Sequence, residues 1–171
     1  MIEYRVCRLC TSFMHSHPTL RGWLKCACGF SKIESPVIKF DQYLMGRDKL
    51  YPSELTQEVI NNIYVLLEKV NALLFELNIK SAKVSSGWRP AAINSSIPTS
   101  AKKSHHMTGK AVDILDDKDQ SIGNLILSKP DLLKKYDLWL EDLSSTKGKN
   151  TNWVHLDIGT RSDRPVRVFK P

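Results

Sequence analysis

The sequence lacks several features that would place it outside the ordinary globular proteins. No stretch of its 171 residues approaches the ~18 uninterrupted apolar residues that a membrane helix needs. Only eight glycines and eight prolines occur, which excludes a collagen-like or low-complexity chain. Residues 1–32 contain no apolar run of the signal-peptide type, so we expect synthesis in the cytoplasm.

The composition fits one globular domain with a small appendage. Apolar residues make up 42% of the chain and charged residues 25%, and a chain of this length buries roughly 70% of its unfolded surface. The 25 basic and 18 acidic residues give a net charge of +7. A basic surface attracts polyanions, and nucleic acid, anionic lipid and an anionic cell wall all remain possible partners.

The cysteines are confined to the N-terminal segment, at Cys7, Cys10, Cys26 and Cys28. In a chain made in the cytosol, cysteines paired at this spacing favour a thiolate metal site, and four sulfurs would close a tetrahedral shell around a structural zinc ion. His15 or His17 could replace a thiolate, and free or disulfide-bonded cysteines are the alternative. We therefore predict a zinc-ribbon-like segment at residues 1–35 and a separate domain at residues 36–171.

The second domain mixes helical and strand patterns without regular alternation. Apolar residues recur at three- and four-residue steps between Leu55 and Leu77, which predicts a long core helix with Ser53 as its N-cap. Residues 111–115 and 153–158 are typical of buried strands. We also predict a strand at 83–86, a loop at 89–105, a helix at 122–135 that is interrupted at Pro130, and a strand at 166–169. This order favours an α+β fold.

Polar residues interrupt the two strongest strands. Asp113 is embedded in an apolar run, where a carboxylate is costly unless it is paired or bound to a metal ion. His106 lies seven residues earlier, and Gly109 permits a turn that would fold this histidine back over the strand. His155 interrupts the later strand. Two imidazoles and one carboxylate suit a catalytic zinc ion with a fourth position left to water.

The spacing alone leaves a second interpretation open. In it, His155 is a hydrogen-bonded core histidine, and Asp113 pairs with Arg89 or Arg161. Arg89 itself follows Gly87 at the end of a short predicted strand. Its guanidinium could hold a substrate carboxylate or the oxyanion of a tetrahedral intermediate, or it could be an ordinary surface group.

Three motifs in this order resemble a known family. S-G-W-R-P-x-x-x-N is present at residues 86–94, S-x-H-x-x-G-x-A-x-D at 104–113, and W-V-H at 153–155. The arrangement resembles the zinc D-alanyl-D-alanine carboxypeptidases and L-alanyl-D-glutamate endopeptidases, which include peptidoglycan carboxypeptidases, phage endolysins and, more distantly, the Hedgehog signalling domain. The resemblance covers about residues 38–171 and implies a Hedgehog/DD-peptidase-like antiparallel sheet with helices.

The resemblance also implies roles for individual residues in a metal site. Its implied ligands for a catalytic zinc ion are His106, Asp113 and His155. His105 lies one place off the motif and would be a neighbour. Ser104 matches the motif serine and would support a ligand.

Further roles concern the substrate and the outer part of the site. Arg89 matches the family arginine that steadies the substrate or the transition state. Ser86 and Asn94, in the same motif, are candidate substrate-binding residues. Asp157 would lie on the same strand face as the last histidine, where it would orient that ligand or pair with Arg161.

The general base departs from the family pattern. Family members usually place an acid three residues before the last histidine, where this chain has Asn152, which cannot take a proton. We predict Glu141 as the base, because residues 144–151 are typical of a flexible hairpin that would return His155 beside it. The alternative is a site that binds metal without turnover.

The resemblance therefore implies a monomeric zinc metallopeptidase that hydrolyses peptidoglycan stem peptides, as a phage or prophage endolysin would, after release or export from the cytoplasm. It does not decide between D-Ala-D-Ala and L-Ala-D-Glu bonds. A non-catalytic Hedgehog-like zinc module, favoured by Asn152, is the first alternative. A nucleic-acid-binding zinc ribbon is the second, and only Trp23 and Phe30 accompany the basic residues of its segment.

Overall fold

A computed structural model describes residues 4–7, 13–15, 33–34, 36–98, 100–161 and 166–171. Its first three strands are β1 (Tyr4–Cys7), β2 (Phe13–His15) and β3 (Ile33–Glu34). They form an antiparallel sheet in the order β2-β1-β3. Cys10, Cys26 and Cys28 lie outside the described residues, as do the side chains of β1–β3, so the four-cysteine zinc site stays a prediction.

A second sheet, of five strands, organises the rest of the chain. Its strands are β4 (Val84–Ser86), β5 (Ala111–Asp116), β6 (Trp139–Glu141), β7 (Asn152–Asp157) and β8 (Val168–Phe169). The order is β4-β5-β7-β6-β8, and every neighbouring pair is antiparallel except β6 and β8, which are parallel. The α+β prediction is confirmed, whereas a purely antiparallel sheet is wrong because the chain returns to the edge after β7 and adds β8 alongside β6.

Six helices are present in the described part of the chain: α1 (Phe40–Leu44), α2 (Arg47–Leu50), α3 (Gln57–Glu76), α4 (Ala91–Ser95), α5 (Ser121–Leu127) and α6 (Asp131–Lys135). The long predicted helix is α3, but its N-cap is Thr56, whose side chain accepts a hydrogen bond from the backbone of Val59. Ser53 was the wrong cap because residues 52–54 form a turn, in which the Glu54 carboxylate accepts the Ala91 N–H at 2.7 Å.

The main hydrophobic core lies between α3 and one face of the five-stranded sheet. The fully buried members from α3 include Ile63, Leu66, Val70, Leu73 and Leu74, and those from the sheet are Val112, Ile114, Leu140, Val154 and Leu156. Each such side chain contributes roughly 1.5–3 kcal/mol on burial. The apolar stripe predicted from the helical period is therefore the buried face of α3.

Short elements account for the remaining differences from the sequence prediction. The loop predicted at 89–105 contains α4, and α1 and α2 lie in the segment before α3. That segment is tied to α3 by the buried Asn71, whose amide exchanges hydrogen bonds of 2.8 and 3.0 Å with the backbone of Ile38. The interruption at Pro130 is confirmed, since α5 and α6 lie on either side of it. Within the described ranges, none of the helices combines the length and apolar character that crossing a bilayer requires.

Candidate metal centre

One row of polar side chains crosses three neighbouring strands. Asp113 of β5 lies directly opposite His155 of β7. The pairing of Leu140 with Leu156 places Glu141 of β6 on the other side of His155. Side chains opposite one another point to the same face of a sheet, so the three polar groups lie side by side. The adjacent residues Ile114, Leu140 and Leu156 point to the other face, toward the core.

His106 reaches this row from the loop before β5. The loop turns at Gly109, whose φ of 72° lies in the left-handed region, as the sequence predicted. The Nδ1 atom of His106 lies 2.8 Å from the carbonyl oxygen of Gly87. A carbonyl oxygen can only accept, so Nδ1 carries the proton and Nε2 keeps its lone pair. Burial lowers the pKa of His106, which favours this neutral form.

The three predicted ligands converge in the structure. His106, Asp113 and His155 each offer one ligand atom, and these atoms all lie within 4.8 Å of one another. The Nε2 atom of His106 is buried, has no hydrogen-bond partner, and lies 3.3 Å from Oδ1 of Asp113. A lone pair facing a carboxylate oxygen is unfavourable unless a cation lies between them. The group is therefore one that could hold a metal ion.

His155 is oriented from both sides. Its Nδ1 lies 2.7 Å from Asp113 Oδ1, and its Nε2 lies 3.3 Å from Asp157 Oδ2. Burial alone would lower the pKa of His155, but the hydrogen bonds to these two carboxylates raise it to about 9. Burial opposes the ionisation of Asp113, yet the hydrogen bond and charge of the neighbouring His155 ring hold its pKa well below the usual range. The two carboxylates therefore fix the position of the His155 ring within the row.

The two oxygens of Asp113 have separate partners. Oδ1 faces the two histidines, whereas Oδ2 accepts a hydrogen bond of 2.6 Å from Arg89 Nη2. Arg89 also donates from Nε to Ser86 Oγ at 2.7 Å. The pairing of Asp113 with Arg89 is therefore present together with the histidine cluster, and the two interpretations are compatible. The alternative partner, Arg161, pairs with Asp157 instead.

The loops beside His106 are held by the remaining motif residues. The amide of Asn94 is buried and donates to the backbone oxygen of Ala101 at 3.0 Å. Its role in substrate binding stays a prediction, because the described contact secures the loop. Ser104 Oγ accepts the backbone N–H of His106 at 3.3 Å, which supports the histidine through its backbone. His105 is not a member of the group and lies 3.6 Å from Asp157.

Glu141 and Asn152 lie on opposite sides of the sheet. The Oε2 atom of Glu141 lies 3.9 Å from His155 Nδ1, and burial raises the pKa of this carboxyl. Asn152 instead donates to the backbone oxygens of Asp117 and Lys118, both at 3.0 Å. Residues three apart on a strand point to opposite faces, so Asn152 cannot act beside His155. This spacing was a signal in the sequence for setting Asn152 aside.

Gly87 is fixed by contacts that its sequence motif does not reveal. A Cβ at this position would lie 1.9 Å from the carbonyl oxygen of Tyr43, so only glycine permits the close approach. The Tyr43 hydroxyl donates to Ala111 O at 2.8 Å, and Arg47 donates to Trp88 O at 2.5 Å. Residues 43–47 therefore position the backbone that holds His106. Helical or strand periodicity cannot reveal this role, because the contacts join residues that are distant in sequence.

The fold and the site define an α+β protein with a buried group of two histidines and one aspartate that could hold a metal ion. No protein-family model matches the chain, and no curated protein matches it. The family resemblance therefore depends on the three motifs at 86–94, 104–113 and 153–155, and the function that it implies is a proposal.

Proposed function

We propose that this chain is a zinc metallopeptidase that hydrolyses peptide bonds in peptidoglycan stem peptides. The observation that supports it most is the convergence of His106, Asp113 and His155, with Glu141 beside them. Two imidazoles and one carboxylate are a donor set typical of catalytic zinc. The substrate class comes from the motif resemblance, as does a Hedgehog/DD-peptidase-like fold for residues 36–171.

A bound zinc ion and residues of the chain would each contribute to hydrolysis. A zinc ion held by the three ligands would act as a Lewis acid and activate water. Glu141 would accept a proton from the attacking water and return it to the leaving amine. It is partly buried beside His155 and forms no ion pair with Arg or Lys among the described residues, so its carboxylate is available for this role.

Arg89 would both hold the metal ligand Asp113 and stabilise the substrate. Two of its five N–H donors hold Asp113 and Ser86. The remaining donors would stabilise negative charge on the tetrahedral intermediate. The net charge of +7 would favour binding to an anionic cell wall, which a monomer would reach after release or export.

A metal-binding module without turnover is the second candidate. The observation that favours it is the engagement of Arg89 by Asp113 and Ser86, which leaves fewer donors for a substrate. In this case the site would bind zinc, and the peptide bond would remain intact. The nucleic-acid alternative depends on the N-terminal cysteine segment, and no contact among the described residues favours it.

Digestion of purified peptidoglycan separates the two candidates. We expect the zinc-loaded full chain to release muropeptides, and mass spectrometry of these products identifies the bond that is cut. Glu141→Gln should keep its zinc and lose about 10²- to 10⁴-fold in rate, the usual contribution of a general base. Asp142→Asn, a change in the adjacent acid, whose carboxylate accepts hydrogen bonds from Ser144, is the matched control and should remain active.

The possible outcomes are distinct. Zinc binding without any product from several wall chemotypes would favour the non-catalytic module. Full activity of Glu141→Gln would assign the base to another group. A chain that binds no zinc at His106, Asp113 and His155 would remove both candidates.

A further inference from the structure

We propose that Arg161 is a positioning residue of the metal centre, which acts through Asp157 to fix the ring of His155. The proposal rests on the proposed function only in taking His155 as a metal ligand. Arg161 touches none of the three ligands in the contacts described, so its effect would be transmitted by the Asp157 carboxylate.

Asp157 is a buried carboxylate with an unusually full set of donors. Its side chain is 1% exposed. Arg161 donates to both of its oxygens, from Nη1 at 2.5 Å and from Nη2 at 2.7 Å. The backbone N–H of Gly159 adds a hydrogen bond of 2.9 Å to Oδ1. A fork of two parallel hydrogen bonds fixes the plane of a carboxylate as well as its position.

That fixed carboxylate determines which nitrogen of His155 is available to a metal ion. Asp157 Oδ2 lies 3.3 Å from Nε2 of His155 and would hold the proton on that atom. Nδ1 is then the ligand atom, and it is the nitrogen that faces Asp113. Metal-bound histidines commonly donate their other N–H to a carboxylate, which fixes the tautomer and the ring orientation.

Arg161 is itself held in place by aromatic rings. Its guanidinium carbon lies 3.6 Å from the ring centroid of Phe169 and 5.4 Å from that of Trp139. The Phe169 ring also meets the ring of His155 edge-on, at 6.0 Å between centroids. Because a guanidinium stacks and donates two parallel hydrogen bonds at once, lysine cannot replace it here. Strand β8 thus contacts both Arg161 and His155 through the ring of Phe169.

Arg167 supplies a matched control. It also lies over Trp139, at 5.2 Å, and it also pairs with an aspartate, Asp137. Its side chain is 22% exposed, compared with 20% for Arg161. The two pairs differ in burial, since Asp157 is 1% exposed and Asp137 is 65% exposed, and Arg161 also stacks on Phe169. The control therefore tests whether the loss of a paired arginine over Trp139 is by itself enough to weaken zinc binding.

The test measures zinc affinity in the full-length chain by competition with a chromophoric chelator. The relevant site is the class of zinc whose binding is lost in His155→Ala. This criterion distinguishes it from any zinc held by the cysteines. We expect Arg161→Met to weaken this class by about tenfold to 100-fold, as loss of outer partners of metal ligands usually does. Arg161→Lys should be weakened almost as much, whereas Arg167→Met should change affinity less than about twofold.

Two further measurements separate positioning from general stability. Side-chain ¹⁵N shifts of the zinc-loaded protein should show a protonated Nε2 on His155 in the wild type, and an altered Nε2 signal in Arg161→Lys. Asp157→Asn should weaken zinc binding to a similar extent, and adding Arg161→Met to it should weaken binding little further, because the two changes interrupt one chain of contacts.

Each result decides the matter. Equal zinc affinity in the wild type and in both Arg161 variants would overturn the positioning role while leaving the metallopeptidase intact. Strictly additive losses in the double variant would also overturn it. A wild type without the His155-dependent class of zinc would contradict the proposed function first. If Arg161→Met does not fold, Arg161→Lys and Asp157→Asn carry the comparison.

Discussion

The two faces of the five-stranded sheet are built from the same strands but have different roles. One packs against the hydrophobic core, and the other carries the polar residues of the candidate metal centre. One face presents apolar, fully buried side chains such as Val112, Ile114 and Leu156 to the core around α3, and its polar pair, Asp116 and Asn152, lies at one end of the strands. The other presents Asp113 and His155 from neighbouring positions on those strands. Period-two alternation therefore separates stability from chemistry by a single residue.

The two faces also differ in what their burial does to stability. Burying an apolar side chain is favourable in itself. Burying ion pairs such as Asp113 with Arg89 costs desolvation that their attraction only partly offsets. The polar face therefore contributes mainly the geometry of the metal centre. Substitutions on this face should alter metal binding and activity more than they alter the free energy of unfolding. Substitutions at adjacent positions of one strand test this difference directly.

The largest effect should follow from His155→Ala. We expect loss of one zinc ion per chain and a fall of about a thousandfold or more in kcat/KM, because several kcal/mol of Lewis-acid stabilisation are removed. The free energy of unfolding, measured in urea with a chelator present, should change less than in the core variant described next. Unchanged zinc content would contradict the assignment of this ligand.

The next largest effect should be on stability, from Leu156→Ala, one residue along the same strand. Leu156 is fully buried against the core, so its truncation should lower the free energy of unfolding by about 2–5 kcal/mol. Each folded molecule should still bind zinc with nearly the wild-type affinity. Urea unfolding and zinc titration of the folded fraction measure the two quantities separately. A large loss of zinc affinity in this variant would show that the faces are coupled through the strand.

Gly87→Ala should reduce both stability and zinc binding, unlike the two preceding substitutions, each of which mainly affects one of them. The new Cβ would meet the Tyr43 carbonyl, and the carbonyl of Gly87 itself orients His106. We expect a loss of about 1–3 kcal/mol in stability from overpacking, together with weaker zinc binding because Gly87 O moves. Gly46→Ala is the comparison: its Cβ would meet no atom within 4 Å, so its cost comes only from the strain of the positive φ of 74°. If zinc affinity is unchanged while stability falls, the carbonyl of Gly87 does not determine the pose of His106.

Much of the fold was predictable where the pattern is long and periodic. α3 and the strands β5 and β7 follow directly from their helical and strand periods. The five-residue helices α1 and α4 were not predicted, because so short a segment shows no period and depends on contacts distant in sequence, such as Asn71 with Ile38. The parallel pairing of β8 with β6 was also missed, since a strand pattern does not identify its partner.

The candidate site was predictable in membership and not in geometry. The motifs named His106, Asp113 and His155, which converge in the structure. Chain spacing could not show that Asp113 divides its oxygens between Arg89 and the histidines. Nor could it show that Gly87 fixes the tautomer of His106, because both arrangements depend on segments distant in sequence that meet at one place.

The smallest effect should come from the surface ion pairs at the far end of the sheet, which contrast with the buried pairs of the metal centre. Lys69 of α3 pairs at 2.8 Å with Asp137, whose side chain is 65% exposed. Lys69→Met should lower the free energy of unfolding by about 1 kcal/mol or less, because solvent screens an exposed pair. The difference from wild type should shrink further in 1 M salt, where the Debye length falls to about 3 Å. Zinc affinity and turnover should be unchanged. A loss above about 2 kcal/mol, or one that persists at high salt, would mean that this pair behaves as a buried one.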